Sequence, residues 1–359
     1  MKKLFLMLAV VSVLVGCNAN KCEIIGRVDN FNALGYVYLT DVWGKKAVID
    51  SVKLEGNTFH FKGVKHTPTL AQLMLDSGRP ISYLFVEKGK VLVSGDHKAG
   101  TVKPTGTPAN DGFTAMMSRS SDLIAKYREA TGKGDHATAE AIDKEHDAMQ
   151  QEFFTQNKNN IFGVFMLKQL GYSLSSKDML AELEALPEAM KALPIVARMK
   201  DNAERKFKTE PQSEGSDYVP HYIDIEQPNL DGEIVSLKSV VENKSNRYVL
   251  LDFWASWCGP CMHEVPTLLE AYKLYHDKGF EIYGVSFDAS KSAWQGAIES
   301  KGMKWVNVSI LKRFDSPAAH DYAVESIPTN YLIDCSNGVI IAKNLRGKAV
   351  LDKLAELYK

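Results

Sequence analysis

Tyr248-Val249-Leu250-Leu251-Asp252-Phe253-Trp254-Ala255-Ser256-Trp257-Cys258-Gly259-Pro260-Cys261 is the stretch that decides the fold. The run Tyr248–Trp254 reads as a buried strand, and it feeds straight into two thiols whose spacing forms a reversible disulfide. Beyond them, Met262 to Lys278 carries apolar residues at helical intervals (Val265, Leu268, Leu269, Tyr272, Leu274, Tyr275). A strand–CxxC–helix order puts Cys258 at a helix N-terminus, where free N–H groups and about half a positive charge favour a thiolate. Such a setting lowers a thiol pKa from about 8.5 into roughly the 3.5–7.5 range. Pro260 falls at an early helical position, where its missing N–H costs nothing and its fixed φ helps hold the two sulfurs in register.

These residues closely resemble the thioredoxin-like proteins, and the likeness extends from about Val219 to Lys359. The resemblance implies an α/β thioredoxin fold for the C-terminal part and a Cys258–Cys261 redox disulfide. In it Asp252 is a buried acid that relays the proton of the second cysteine. Pro266 is the kinking proline of the active-site helix, and Ile327-Pro328-Thr329 is the cis-proline loop facing the sulfurs. Glu264 matches an acid of the membrane-anchored, TlpA-like thiol–disulfide oxidoreductases related to cytochrome c maturation, and the Phe287–Val308 segment is an insertion typical of that branch. For Glu264 two roles stand open: tuning the dithiol, or complementing the helix dipole in its first turn. Trp257, Gly259, Pro260, Ile327 and Pro328 would shape the groove that binds substrate, while Trp254 belongs to the core.

The N-terminus sets the compartment. Lys2 and Lys3 precede an apolar run from Leu4 to Val15, too short for a membrane span of about 20 residues, which reads as a secretory signal over 1–16. Leu14-Val15-Gly16-Cys17 resembles the bacterial lipobox, which makes Cys17 a lipid anchor and implies a cell-envelope protein facing the periplasm. There an exposed dithiol needs a membrane or periplasmic electron donor to keep it poised. Cys22 and Cys335 read as incidental. Only His263 lies near the dithiol, and a zinc site would need a second ligand pair, so neither metal nor cofactor is expected.

The chain has 359 residues, 45% hydrophobic and 24% charged, a composition for two or three globular domains. A formal charge of −1, from 43 basic and 44 acidic residues, gives no footing for nucleic acid. From Cys22 to about Asp96, alternating stretches (Tyr36-Val37-Tyr38-Leu39, Thr58-Phe59-His60-Phe61, Lys90-Val91-Leu92-Val93) are broken by glycine turns, which predicts a small antiparallel β domain. It resembles a β domain of unknown function that precedes thioredoxin-like domains in Bacteroidetes lipoproteins. Pro108 to about Lys208 reads helical, with runs over Phe113–Ala130, Ala137–Asn157, Ile161–Leu170 and Asp178–Leu186, and Ser175 with Asp178 could form a capping box. The expected division is therefore a signal at 1–16, a β-rich domain at 17–107, helices and linker at 108–210, and a thioredoxin-like domain at 211–359.

The function expected is reduction or isomerisation of protein disulfides. Cys258, exposed at the helix start, attacks, and the more buried Cys261 resolves the mixed disulfide. Gly259-Pro260 matches reducing thioredoxins and favours the reductant. Two alternatives compete. A peroxiredoxin-like peroxidase would need a Pro-x-x-x-Thr-x-x-Cys loop, and Ala255-Ser256-Trp257-Cys258 lacks its threonine. A non-enzymatic binding lipoprotein would leave the intact CxxC and proline loop without purpose.

Overall fold

The structure is a computed structural model that describes residues 21–31, 35–44, 47–171, 173–211 and 218–359. The expected signal and Cys17 lie outside these residues. The chain forms two compact units. One runs through to Ser173 and takes in Glu182–Ala197, and the other holds Leu174–Ala181 and Arg198–Lys359.

In the first unit the turn-forming glycines separate β1 (Cys22–Asp29), β2 (Tyr36–Asp41), β3 (Val48–Lys53), β4 (Thr58–Val64), β5 (Thr69–Leu75), β6 (Pro80–Val86), β7 (Gly89–Asp96) and β8 (Lys103–Thr105). They build two sheets, ordered β4-β1-β7-β8 and β3-β2-β5-β6. The second is antiparallel throughout, as the alternation implies. The first is mixed: β1 runs antiparallel to β4 but parallel to β7, because it lies between two strands distant from it in sequence. Ile24, Phe61 and Val91 from one sheet and Val37, Leu73 and Leu84 from the other share a single core.

Three long helices follow: α1 (Pro108–Gly132), α2 (His136–Gln156) and α3 (Ile161–Leu170). Pro108 opens α1, and Asp135 and Asn160 cap α2 and α3 by accepting main-chain N–H bonds. Phe85, at the end of β6, is fully buried among Phe113, Phe162 and Phe165, with ring centroids 5.6, 6.0 and 5.8 Å away. Buried Asn110 satisfies both main-chain groups of Phe85, accepting its N–H and donating to its carbonyl at 2.9 Å each. The helices α4 (Ser176–Glu184), α5 (Glu188–Lys191) and α6 (Pro194–Thr209) complete the helical segment. Ser175 does cap α4: Asp178 N–H donates to its Oγ at 3.1 Å, and that Oγ donates to Asp178 Oδ2 at 2.7 Å.

The second unit contains the hairpin β9 (Glu226–Pro228) and β10 (Ile234–Ser236), then α7 (Leu237–Val241), β11 (Tyr248–Trp254), α8 (Gly259–Tyr275), β12 (Phe280–Ser286), α9 (Lys291–Lys301), β13 (Val306–Val308), α10 (Pro317–Asp321), β14 (Thr329–Asp334), β15 (Val339–Lys343) and α11 (Lys348–Leu357). Five strands form one sheet in the order β13-β12-β11-β14-β15, with β11 central, parallel to β12 and antiparallel to β14. This is the α/β thioredoxin fold. Every residue of β11 after Tyr248 is buried, as a central strand covered on both faces requires. The helix after the dithiol starts at Gly259, a turn earlier than its apolar pattern suggests, with Pro260 in its first turn and Pro266 inside it. The Phe287–Val308 segment folds as α9 and the edge strand β13. Among the described residues no helix is long and apolar enough to cross a membrane.

Truncating Phe85 to alanine removes the centre of the aromatic cluster and is expected to destabilise the first unit by about 3–5 kcal/mol. Tyr83→Ala, on the same strand with a 43% exposed ring, is expected to cost under about 0.5 kcal/mol. Urea unfolding of the two variants checks the difference.

Candidate active site

The turn that ends β11 delivers both cysteines to the start of α8, where they are joined as a disulfide. Cys258 is the N-cap, and its Sγ accepts the Cys261 N–H at 3.2 Å. One expectation is corrected here. Cys258 is not exposed: it is 5% accessible against 4% for Cys261. Bonding to Cys261 and capping the helix both turn its sulfur inward. Burial of the residue therefore does not distinguish the two cysteines in the oxidised form. Trp257, Gly259 and Pro260 are the exposed members of the motif.

Asp252 lies on β11 with Gly284 of β12 and Asn330 of β14 as its uncharged sheet partners. Its carboxyl is buried, and burial lifts its pKa to about 7; the positive charge of Arg346 opposes that rise, and the negative charge of Glu264 reinforces it. Glu264 sits in the second turn of α8, half-buried, with Oε2 accepting the Gly347 N–H at 2.8 Å. That bond ties α8 to the loop before α11, a structural role beyond either of those considered from sequence.

The Ile327-Pro328 peptide is cis. Thr329, the next residue, pairs with Phe253 near the end of β11, so the register carries Ile327 and Pro328 to the end of the sheet where the dithiol turn begins. Both are half-buried. Trp257 is 51% exposed, its Nε1 donates to the Phe287 carbonyl at 3.3 Å, and its ring lies 6.4 Å from that of Phe314. Trp254 is buried in the core, as expected.

Three residues at the site carry no motif. Asp288 is buried and clamps the turn before the dithiol: Ser256 donates to it through N–H (3.0 Å) and Oγ (2.6 Å), and Ser286 Oγ donates at 2.7 Å. Phe314 stands in a single 3-10 turn, Arg313–Asp315, at whose start Leu311 and Arg313 adopt positive φ of 57° and 51°. Arg346 donates from Nη2 to the Pro328 carbonyl. The sequence signals available were faint: an acid just after β12, and an Arg-Gly pair opening the last helix. Of the remaining cysteines, Cys22 is buried in β1 and Cys335 is half-buried after β14; burial first of all lifts both thiols, to about 11 and about 12.

Comparison with known proteins bears on this geometry. Residues 220–343 match the AhpC/TSA family, and residues 22–113 match a domain of unknown function, DUF4369. The thiol-disulfide oxidoreductase ResA of Bacillus cereus is 29% identical over 153 residues, covering 43% of this chain and 82% of that protein. Tryparedoxin of Trypanosoma brucei brucei is 34% identical over 120 residues, covering 33% of this chain and 79% of that protein. The chain belongs to the thioredoxin-like thiol–disulfide oxidoreductases. Among solved structures, the thioredoxin domain of a thiol-disulfide oxidoreductase from Bacteroides vulgatus is 33% identical and covers 42% of this chain and all (100%) of that one, with a TM-score of 0.36.

For an oxidoreductase of this family, the buried carboxyl makes a signature in stability. An unfolded aspartate titrates near 3.9, and in the folded protein Asp252 titrates at about 7. The folded state therefore holds a proton that the unfolded chain has lost, so stability falls as pH rises across that window. Asp252→Asn is expected to remove this slope, making the variant progressively more stable relative to wild type from about pH 4 to about pH 7, by up to ~4 kcal/mol. Denaturant titrations of the oxidised proteins across that range check it; parallel curves would place the carboxyl in contact with water.

Proposed function

We propose that this oxidoreductase reduces, and secondarily isomerises, disulfides of other proteins in the periplasm, held to a membrane by lipid on Cys17. The observation that carries the chemical part is the disulfide at the head of α8 combined with a buried, near-neutral carboxyl on the central strand. In the reduced enzyme the helix N-terminus favours the Cys258 thiolate, which attacks one sulfur of a substrate disulfide. The substrate S–S bond breaks, a Cys258–substrate disulfide forms, and the first substrate sulfur leaves as a thiolate that takes a proton from solvent.

Cys261 then gives its proton to Asp252 and attacks Cys258 Sγ. The Cys258–Cys261 disulfide closes, and the second substrate sulfur leaves. Two electrons have passed to the substrate, so an external dithiol donor, in the membrane or the periplasm, must reopen the enzyme's disulfide. A base with a pKa near the working pH suits such a proton transfer, since it is both available and able to hand the proton on. The Ile327-Pro328 loop and Trp257 border the groove in which the substrate segment would lie. The Gly-Pro pair between the cysteines supports the reducing direction. Peroxidase chemistry has less support, because Ala255-Ser256-Trp257 lacks the threonine of a peroxidatic loop.

Wild type is expected to precipitate insulin in the presence of dithiothreitol. Cys261→Ser should keep the attacker and lose the resolver, so that the protein isolated from its host carries partners released by reductant and visible on non-reducing gels. Cys258→Ser should trap few or none; equal trapping by both variants would reverse the assigned order of attack.

For the anchor, Cys17→Ala is expected to move the protein from the membrane to the soluble periplasmic fraction without loss of dithiol activity in vitro. Continued membrane retention of that variant would sink the lipid reading.

A further inference from the structure

Arg346 occupies the loop between β15 and α11, a part of the chain that no motif singles out. Its guanidinium grips two main-chain carbonyls: Nη1 donates to Leu345 at 2.9 Å, and Nη2 donates to Pro328. The loop around it is fastened to the site at further points. Asn330 Nδ2 donates to the Leu345 carbonyl and Asn330 Oδ1 accepts the Leu345 N–H, each at 2.9 Å. Asn344 N–H donates to the Asn330 carbonyl at 2.8 Å, and Asn330 is the register partner of Asp252. Gly347, at φ 49°, a conformation that side chains with a Cβ rarely adopt, gives its N–H to Glu264. Arg346 is thus joined to the proline loop directly, to β14 through its neighbours, and to α8 through the next residue.

The half-buried guanidinium also faces charge. Burial weakens its hold on its proton, and the negative charges of Asp252 and Glu264 offset part of that loss. A guanidinium suits this place because it stays ionised when partly desolvated and presents several donors in a fixed plane. The charged groups acting on Asp252 come from two elements: Glu264 on α8, and Arg346 on the β15–α11 loop. Its strand neighbours Gly284 and Asn330 carry no charge.

We propose that Arg346 is a positioning residue for disulfide exchange: it holds the Ile327-Pro328 loop by the proline carbonyl and supplies the counter-charge that lets Asp252 ionise. One side chain then sets both the seat of the substrate segment and the readiness of the base. The second half rests on the reading of Asp252 as the base that deprotonates Cys261. Without the guanidinium, two neighbouring carboxyls would share a poorly hydrated site, and Asp252 would keep its proton to higher pH. The proline carbonyl would lose its donor, and the loop its fixed position.

The test compares wild type, Arg346→Gln and Arg346→Lys. Asp252 is titrated directly by carboxyl-carbon NMR in the oxidised protein, and kcat and KM for insulin reduction are followed against pH. Arg346→Gln should raise the Asp252 midpoint by about one unit, slow turnover at pH 7 about fivefold, as the ionised fraction of Asp252 falls, and raise KM. Arg346→Lys should keep the midpoint near that of wild type yet leave KM raised, because one ammonium does not replace a planar fork spanning two carbonyls. An unmoved midpoint in Arg346→Gln overturns the counter-charge role; a wild-type KM in Arg346→Lys overturns the loop role, even if Arg346→Gln does not fold. The NMR titration needs no turnover, so it judges Arg346 independently of the mechanism. Failure of the Asp252 mechanism would appear separately, as a pH–rate profile that Asp252→Asn leaves unchanged with Arg346 intact.

Discussion

A carboxyl group removed from water at the centre of the sheet is the constraint around which the redox unit is arranged. Asp252 sits on the central strand, where both faces are covered and the flanking partners are uncharged. An isolated charge there would be costly, and the protein meets the cost in two ways: the carboxyl titrates near neutrality, and Arg346 is brought within electrostatic reach. Bringing it there requires the β15–α11 loop to be held, which the paired Asn330–Leu345 bonds and the Glu264–Gly347 bond accomplish. Electrostatics and architecture are one problem at this site.

The N-terminus of α8 gives two chemically identical thiols different surroundings. In the oxidised protein both are almost wholly buried, so exposure does not separate them. What differs is their electrostatic surroundings. Cys258 caps the helix and lies where the unpaired N–H groups of α8 converge. Cys261 lies one residue inside Pro260, and its own N–H is already engaged by the Cys258 sulfur. Interaction with a helix N-terminus falls off within the first turn, so a step along α8 changes a sulfur's electrostatic surroundings.

Most of the redox unit was legible because its signals are local. The apolar run Tyr248–Trp254, the CxxC spacing, the helical period after it and the Ile-Pro-Thr ahead of β14 each lie within one short stretch, and each is where its pattern implied. Asp288 and Arg346 were not legible, because their importance exists only after folding. Asp288 acts on Ser256 across 32 residues of sequence and Arg346 on Pro328 across 18, with no periodicity to announce either. The parallel pairing of β1 with β7 was missed for a related reason: alternation tells which side of a strand is buried but not which strand lies beside it. The depth of Cys258 escaped for a third reason, since a residue's position in a motif says nothing about how its own disulfide turns it.

Around the dithiol, exposed aromatic rings and buried charged groups occupy different sides. Outward stand Trp257 and Phe314, 51% and 39% exposed and 6.4 Å apart, backed by buried Phe287, whose ring lies 4.9 Å from that of Phe314. Inward lie Asp252, Glu264 and Arg346, whose charges act on one another. An apolar, aromatic outer surface discriminates weakly among extended segments, since area burial is non-directional. The chemistry behind it is insensitive to the segment's side chains, because it acts only on sulfur and proton. Asp288 joins the two sides: by fixing Ser256 it sets where Trp257 points and where Cys258 begins the helix. If Asp252 relays the proton as proposed, a site divided in this way meets substrate variety at its surface, away from the buried charges.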